Sequence, residues 1–429
     1  MIEKFSLNNF KSYYEAELPI HPLTVLIGAN ASGKSNVIEG LQFLSWLAQG
    51  QKLSALRYLV NQSDRVVRGS IQDLPTTGTS TFRLGCTLQN VSYGRLQIEL
   101  ELRETELRIR EEKLLSSSSD KYLYRTKRAS SGANNLVTYE FDNFAPGGKN
   151  PTFIATDQTA QFTQLSDGTR IKSNYKKTQR LLRENAGGLE QALQNILFLD
   201  PVPGRMREYS FKSERTLRSD GSNLSGVLFH LIQQSAENRE ILLQFIQSLP
   251  EQNIEAIEFL ETERGECMVR LVEHYGASKK RFDAGLLSDG TLRVLAFAAA
   301  LLSVPEGGMI VIEEVDNGVH PSRMKDLIRI FQSIGRERKV SIVITSHSPA
   351  LLDVLPAGII PEVIFCYRDP QTGFSQLKPL HQIKDYPELI MQDSLGDLLV
   401  RGMVDHYVKH PSNDEQRIRE GLQYLDSIR

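Results

Sequence analysis

Cysteine is scarce in this chain of 429 residues, and Cys86, Cys267 and Cys366 stand far apart. No pair has the spacing of a metal knuckle or a redox motif, so a disulfide framework and a cysteine-held zinc are both excluded. The pattern is that of buried thiols in a reducing compartment, and the expected location is cytoplasmic. The eight histidines show no metal-ligand spacing either. Long apolar runs are missing: the longest candidate, Val294 to Val304, has eleven residues, against the roughly 20 that span a bilayer. No membrane contact is expected. The N-terminus alternates as Ile2-Glu3-Lys4-Phe5-Ser6-Leu7, unlike a basic segment followed by an apolar one, and no signal peptide is read there. A net charge near −2 denies the chain a global attraction to nucleic acid, though it leaves room for a local patch. No heptad persists, which excludes a long coiled-coil arm, and no internal repeat is present.

What the chain does carry is a change of period along its length. Leu23-Thr-Val-Leu-Ile27 is a short apolar run suited to a strand buried on both faces. It leads into a glycine-rich stretch and then a helical pattern with Val37, Leu41, Leu44 and Ala48 on one side. From about Thr81 the period becomes two: Phe82, Leu84, Cys86 and Leu88, then Leu96, Ile98, Leu100 and Leu102, then Leu107 and Ile109. This predicts an antiparallel meander with one wet face. Ser116 to Asp120 reads as a loop. Residues 134–218 are mixed, with a helical piece around Thr178 to Leu197, and a second helical region runs from about Asn223 to Leu249. From Ala284 helix and strand alternate: a helix after Ser288, a strand at Met309 to Ile312, a helix from Pro321 ended by Gly335, and a strand at Val340 to Ile344. The alternation predicts an α/β fold with a mainly parallel sheet flanked by helices.

Gly28-Ala29-Asn30-Ala31-Ser32-Gly33-Lys34-Ser35 fits Gly-x-x-x-x-Gly-Lys-Ser in full, between a strand and a helix. Glycines let successive backbone N–H groups turn toward phosphate oxygens, and the helix start adds a positive dipole end. Lys34 is placed to neutralise the β and γ phosphates of a nucleoside triphosphate, and Ser35 to offer its hydroxyl to Mg²⁺. Glu313 and Glu314 follow the strand Met309 to Ile312 directly, so the two carboxylates leave it in different directions. One suits the metal side and the other a base that orients attacking water, a role that contributes roughly 10²–10⁴-fold. Ser288 and Gly290, in Leu287-Ser288-Asp289-Gly290-Thr291, put a hydroxyl and bare amides at a helix start. His347 sits where the strand Val340 to Ile344 ends, the edge at which ligands of open α/β sheets gather.

The order of phosphate loop, Leu-Ser-x-Gly, apolar strand with Glu-Glu, and histidine resembles the ABC-type ATPase heads of SMC, RecF and OLD-type proteins. Phe10-Lys11-Ser12 and Val315-Asp316-Asn317-Gly318-Val319-His320-Pro321 are similar to that group too. The motifs cover roughly residues 1–50 and 284–355. The resemblance implies a P-loop head made of residues 1–115 (phosphate loop and β meander) and 284–429, with 116–283 an inserted α+β region. It implies ATP held by Gly28 to Ser35, Mg²⁺ served by Ser35 and Glu313, Glu314 as catalytic base, and His347 on the γ-phosphate. Ser288 and Gly290 would reach the γ-phosphate on the opposite protomer of an ATP-bridged homodimer, with Asp316 and Asn317 crossing the interface. Two departures stand out: the metal-side carboxylate is Glu where transporters carry Asp, and no glutamine loop is identifiable, Gln89 being the one candidate.

Transport is disfavoured, since the signature ends Gly-Thr and no membrane segment is present. The 82 residues after His347 hold no Asp-x-Asp; Asp385, Glu388, Asp393 and Asp397 are spaced like a helix surface. A nuclease would therefore act in trans. Stand-alone heads of this kind resemble the ATPase subunits of bacterial phage-defence systems, Septu-like and PARIS-like ones among them, in which the ATPase senses infection or holds a separately encoded nuclease or toxin effector. The alternatives are a RecF- or SMC-like ATPase of DNA repair and DNA transactions, and a non-hydrolysing ATP-gated scaffold, which Glu314 and His347 weigh against. Nucleic acid is a candidate partner through residues 170–218, where eleven Lys/Arg stand against five Asp/Glu with Tyr175, Tyr209 and Phe211 interspersed.

Overall fold

The computed structural model describes residues 1–56, 66–132, 134–145, 149–166, 171, 175–247, 253–276, 278–383 and 394–409. Of the late acidic residues, Asp385, Glu388 and Asp393 lie outside the described residues, as do Arg170 and Lys172 of the basic segment.

Among the described residues, eighteen strands fall into three sheets. β1 (Ile2–Phe10) and β2 (Tyr13–Pro19) form a hairpin that opens an eight-stranded sheet. β4 (Thr81–Leu88), β5 (Arg95–Arg103), β6 (Glu106–Leu115), β7 (Tyr122–Arg128), β8 (Leu136–Phe141) and β9 (Thr152–Thr156) continue it as an antiparallel ladder in the order β2-β1-β4-β5-β6-β7-β8-β9. The predicted meander is therefore longer than its period-two signal, which weakens after Ile109. Strands within 116–283, expected as an insertion, extend the N-terminal sheet.

The second sheet has the order β10-β15-β16-β3-β17-β18. Its members are β3 (Leu23–Ile27), β10 (Ile196–Leu199), β15 (Met309–Ile312), β16 (Ser341–Ser346), β17 (Ile364–Arg368) and β18 (Ser375–Pro379). All neighbours are parallel except β17 and β18. β10 belongs to the segment read as inserted, yet it completes the parallel sheet beside β15. The third sheet, β11 (Ser210–Phe211), β12 (Ile254–Glu261), β13 (Glu266–Tyr275) and β14 (Ser278–Asp283), is antiparallel.

Successive residues of a strand face opposite ways, so the parallel sheet divides two cores. Leu26, Met309, Val311, Val343 and Ile364 face helix α1 (Lys34–Ala48) and, beyond it, the eight-stranded sheet. Val25, Ile27, Ile310, Ile312, Ile342 and Ile344 face the other way. The second core also holds α3 (Leu224–Gln234), α4 (Ala236–Gln247), α5 (Asp289–Ser303) and α6 (Pro321–Glu337). α2 (Lys176–Gln194) runs along the meander on the α1 side. α5 is apolar nearly all round because α3, α4 and the sheet enclose it. Gly335 does not end α6 as expected. The helix continues to Glu337 and closes where Lys339 turns left-handed (φ 51°) and the Val340 amide donates to the Gly335 carbonyl at 2.8 Å. No described helix is long and apolar enough to cross a membrane.

Candidate functional site

Three parallel strands bring the site together in register. Ser346 pairs with Ile27, and Ile344 with Ile312. His347 and Gly28 therefore emerge level with each other at the carboxyl edge of the sheet, and Glu313 emerges two residues earlier, level with Thr345. The chain crosses this edge in three separate passes, so residues more than three hundred positions apart share one site.

The loop 28–35 is braced from below. The Tyr13 hydroxyl donates to the Gly33 carbonyl at 3.2 Å, the Cys366 thiol to the Ser32 carbonyl at 3.4 Å, and Arg368 Nε to the Ala31 carbonyl at 3.2 Å. Asn36 Nδ2 donates to Ser12 Oγ, which also receives the Ser375 hydroxyl, both at 2.8 Å. Gly33, at φ 118°, leaves no room for a Cβ, which would stand 2.7 Å from Ser375 Cβ. At Gly28 a Cβ would meet the Cys366 carbonyl oxygen at 2.2 Å. Burial pushes the Cys366 thiol up and keeps it neutral.

Lys34 Nζ donates to the Gly28 and Ala29 carbonyls of its own loop, at 2.6 and 3.0 Å. Burial pulls its ammonium below the ordinary value, against Glu314, Asp316 and Glu313, whose carboxylates favour its charge. The Ser35 hydroxyl donates to Glu313 Oε2 at 2.9 Å. Burial raises the Glu313 carboxyl, opposed by that hydrogen bond and by Arg68, whose Nη2 stands 3.8 Å from Oε2. Glu314 is exposed and left-handed (φ 50°); its amide donates to Thr345 Oγ1 at 3.0 Å, and its carboxylate accepts from Asn317 Nδ2. A non-glycine residue held in this conformation points its side chain where an ordinary strand residue would not. His347 is exposed. Ser32 Oγ is buried with no hydrogen-bond partner among the described residues, which fits a cradle for an oxygen-rich ligand.

Ser288 and Gly290 lie against the turn that follows Glu314. Ser288 caps α5, accepting from the Thr291 amide at 3.1 Å. Gly290 lies so close to Gly318 that a Cβ would stand 2.6 Å from its carbonyl oxygen. Arg207 locks the turn by donating to the Leu287 carbonyl (3.0 Å) and pairing with Asp289 (2.6 Å).

Gln89 is at the wrong end of the molecule for a glutamine loop. Its amide donates to the Met1 carbonyl, and Met1 lies against Ser341, the first residue of β16, at the amino edge of the sheet. Asp200 follows β10 instead, next to Glu313 in register, and lines a cavity of about 350 Å³ with Glu39, Gln42, Arg68, Ser219 and Glu313. Sequence reasoning missed Asp200 and Arg68 because neither lies in a recognisable motif. The four-residue apolar run Ile196 to Leu199 before Asp200 was the available signal. Lys11, from the Phe10-Lys11-Ser12 motif, donates to buried Glu39 and to the Arg68 carbonyl.

The basic segment 170–218 is not one surface. Arg180 pairs with Glu184, Arg205 with Asp220, Arg207 with Asp289, Lys212 with Glu261 and Arg218 with Glu214. The segment is also divided between α2 and the neighbourhood of α5, which disperses the charge excess.

Comparison with known proteins adds four findings. A family profile described as "AAA domain, putative AbiEii toxin, Type IV TA system" matches residues 23–353. An ATP/GTP phosphatase of Helicobacter pylori is 20% identical over 365 residues, covering 83% of this chain and 87% of the relative. A DNA replication and repair protein RecF of Gloeobacter violaceus is 35% identical over 89 residues, 20% of this chain and 21% of its own length. Among solved structures, an SMC head bound to the C-winged helix domain of ScpA aligns with 88% of this chain and 96% of its own, at 14% identity and a TM-score of 0.46.

Proposed function

The chain belongs to this AbiEii-type AAA-domain family, and from that premise we propose that it hydrolyses ATP at the edge formed by Gly28 to Ser35, Glu313, Glu314 and His347. The observation that carries the reading is the 2.9 Å hydrogen bond from Ser35 to Glu313, which joins the phosphate loop to the carboxylate pair. In this reading the loop amides and Lys34 hold the triphosphate, Lys34 exchanging its two loop carbonyls for phosphate oxygens. Ser35 and Glu313 would hold Mg²⁺, being hard oxygen donors of the kind that ion takes, and the ion would neutralise phosphate charge. Glu314 orients and deprotonates the attacking water, with Asn317 steering its carboxylate. His347, level with Gly28, bonds the γ-phosphate.

Ser288 is exposed, its own hydroxyl bonded only within the turn, and Leu286 beside it is 73% exposed. Both features support a head that pairs with a second copy, the signature of one completing the site of the other. Biologically, the family's association with a toxin system supports an ATPase that senses infection and controls a separate nuclease or toxin effector in anti-phage defence. A RecF-like role in DNA transactions is the second reading, favoured by the RecF-similar stretch.

The test is Glu314→Gln. ATP turnover should fall by 10²-fold or more, while ATP binding persists and a closed dimer accumulates on a sizing column. Turnover at the native rate would sink the assignment of the base.

A further inference from the structure

The eight-stranded sheet stops at β9, and among the described residues no strand pairs with its outer edge. The pairing with β8 is bracketed by hydrogen bonds from the Phe141 amide to the Pro151 carbonyl (3.2 Å) and from the Asp157 amide to the Asn135 carbonyl (2.9 Å). Alternation between these turns the backbone groups of Phe153 and Ala155 toward β8, and those of Thr152 and Ile154 outward. The outward groups are a template for another strand.

Two more observations concern the same place. The face of β8 and β9 turned away from the core carries Ile154, 64% exposed, and Leu136, 53% exposed, with Ile154 directly opposite Thr138. The opposite face is core, with Val137, Tyr139 and Ala155 buried. From β7 across β8 to the start of β9 runs an open groove of about 770 Å³, lined by Lys127, Arg128, Thr138, Lys149, Thr152 and Tyr175 among others, with no carboxylate in its lining. Glu140, on the same face, is occupied by Arg125 at 2.7 Å and Lys127 at 3.0 Å. Arg128 and Lys149 form no ion pair with another described residue.

We propose that β9 is a docking edge for an extended acidic segment of a partner protein, which joins the sheet as a ninth strand. The segment would bond the outward amides and carbonyls of Thr152 and Ile154. Of its side chains turned to the face away from the core, an apolar one would cover Ile154, and acidic ones would point across the groove toward Arg128 and Lys149. A second copy of β9 is a poor occupant, because it would bring two sets of these cations together. A nucleic acid would answer the charge but leave the edge backbone and Ile154 unused.

The probe is a fluorescein-labelled ten-residue peptide with threonine at every second position and glutamate and valine alternating at the others, so that both types share one face; it is titrated against the full chain by anisotropy. The expected result is saturable binding that slows hydrogen exchange in 152–156. It should weaken at least tenfold in Arg128→Glu/Lys149→Glu and in Ile154→Pro, which deletes an outward donor while sparing the ladder to β8. ATP affinity, unchanged in both variants, reports that they fold; if Ile154→Pro fails that check, Ile154→Lys replaces it. Three results overturn the proposal: no binding of the peptide, binding indifferent to these substitutions, or preference for a 20-nucleotide single strand at the same cations. Self-association lost in Ile154→Pro would overturn it too.

Discussion

Gly33→Ala tests the phosphate loop at the point where its conformation is most constrained. The residue sits at φ 118° and ψ −1°, outside the range that L side chains readily adopt. Holding alanine there costs about 1–3 kcal/mol. The added methyl would lie 2.5 Å from Ser375 Oγ, 2.7 Å from Ser375 Cβ and 2.9 Å from the Tyr13 hydroxyl. Ser375 Cβ is fixed to the backbone of β18, so rotamer change alone does not clear the contact, and overpacking of this kind costs about 1–3 kcal/mol more. The loop meets solvent at Ala29 to Ala31, and it can escape by opening outward. The penalty then appears when ATP draws it closed. A cost of about 2–6 kcal/mol corresponds to at least a 30-fold loss of ATP affinity at 1.4 kcal/mol per factor of ten. The assay is equilibrium titration with a fluorescent ATP analogue and Mg²⁺, alongside the unfolding midpoint without nucleotide. Gly132→Ala is the control: its φ of 59° is also left-handed, yet a Cβ there meets nothing within 4 Å. It should cost about 1 kcal/mol of stability and leave affinity unchanged. If Gly33→Ala binds ATP within threefold of the native protein, the view of a loop wedged against β18 and Tyr13 fails.

Two further outcomes follow from other parts of the molecule. Ser288→Arg should leave one-head ATP binding within about twofold of native while abolishing ATP-dependent dimers in sedimentation. Equal loss of both would show that the signature does not act across an interface. Glu112 concerns pH: it accepts from the Tyr124 hydroxyl and from the Gln161 and Phe162 amides at 2.7 and 2.8 Å, yet complete burial outweighs these bonds and raises its pKa from 4.5 to about 7. The folded chain keeps a proton that the unfolded chain has released across that window. Stability from this group should therefore decline as pH rises from about 4.5 to 7 and level off above, by up to about 3 kcal/mol. The slope should shrink in Glu112→Gln, and an unchanged thermal-unfolding slope in that variant would refute the reasoning.

The first strands, the loop, α1, the start of the meander and the Glu-Glu strand were legible because each carries a strong local signal: a period, an apolar run or a glycine pattern. β10 was not, since four apolar residues after a helix look the same whether they end the helix or join a sheet. Its partner β15 is more than a hundred residues away, and pairing at that range leaves no mark in a short window. Gly335 misled for a related reason. A glycine late in a helical pattern suggests a cap, but here β16 lies close: a Cβ would stand 3.2 Å from Ile342 Cδ1 and from the Val340 carbonyl oxygen. Gln89 was chosen by residue type alone, and only topology shows that it lies at the amino edge. The charge excess of 170–218 was counted correctly but dispersed by ion pairs to Asp220, Glu261 and Asp289, which no count within the segment includes.

The place of β3 in the parallel sheet has a consequence for how the chain is made. β3 leaves the ribosome early, yet both of its neighbours, β16 and β17, are encoded between residues 341 and 368. At about 5–20 residues per second, the strand that carries the phosphate loop waits roughly 15–60 s for a partner. All eight strands of the meander sheet, by contrast, come from the first 156 residues and can pair while β3 is still alone. Limited proteolysis of stalled chains would read this order. Nucleotide binding is then a late event in synthesis, and a chain interrupted between α1 and β16 has the whole sequence of the loop and neither of the strands that flank β3.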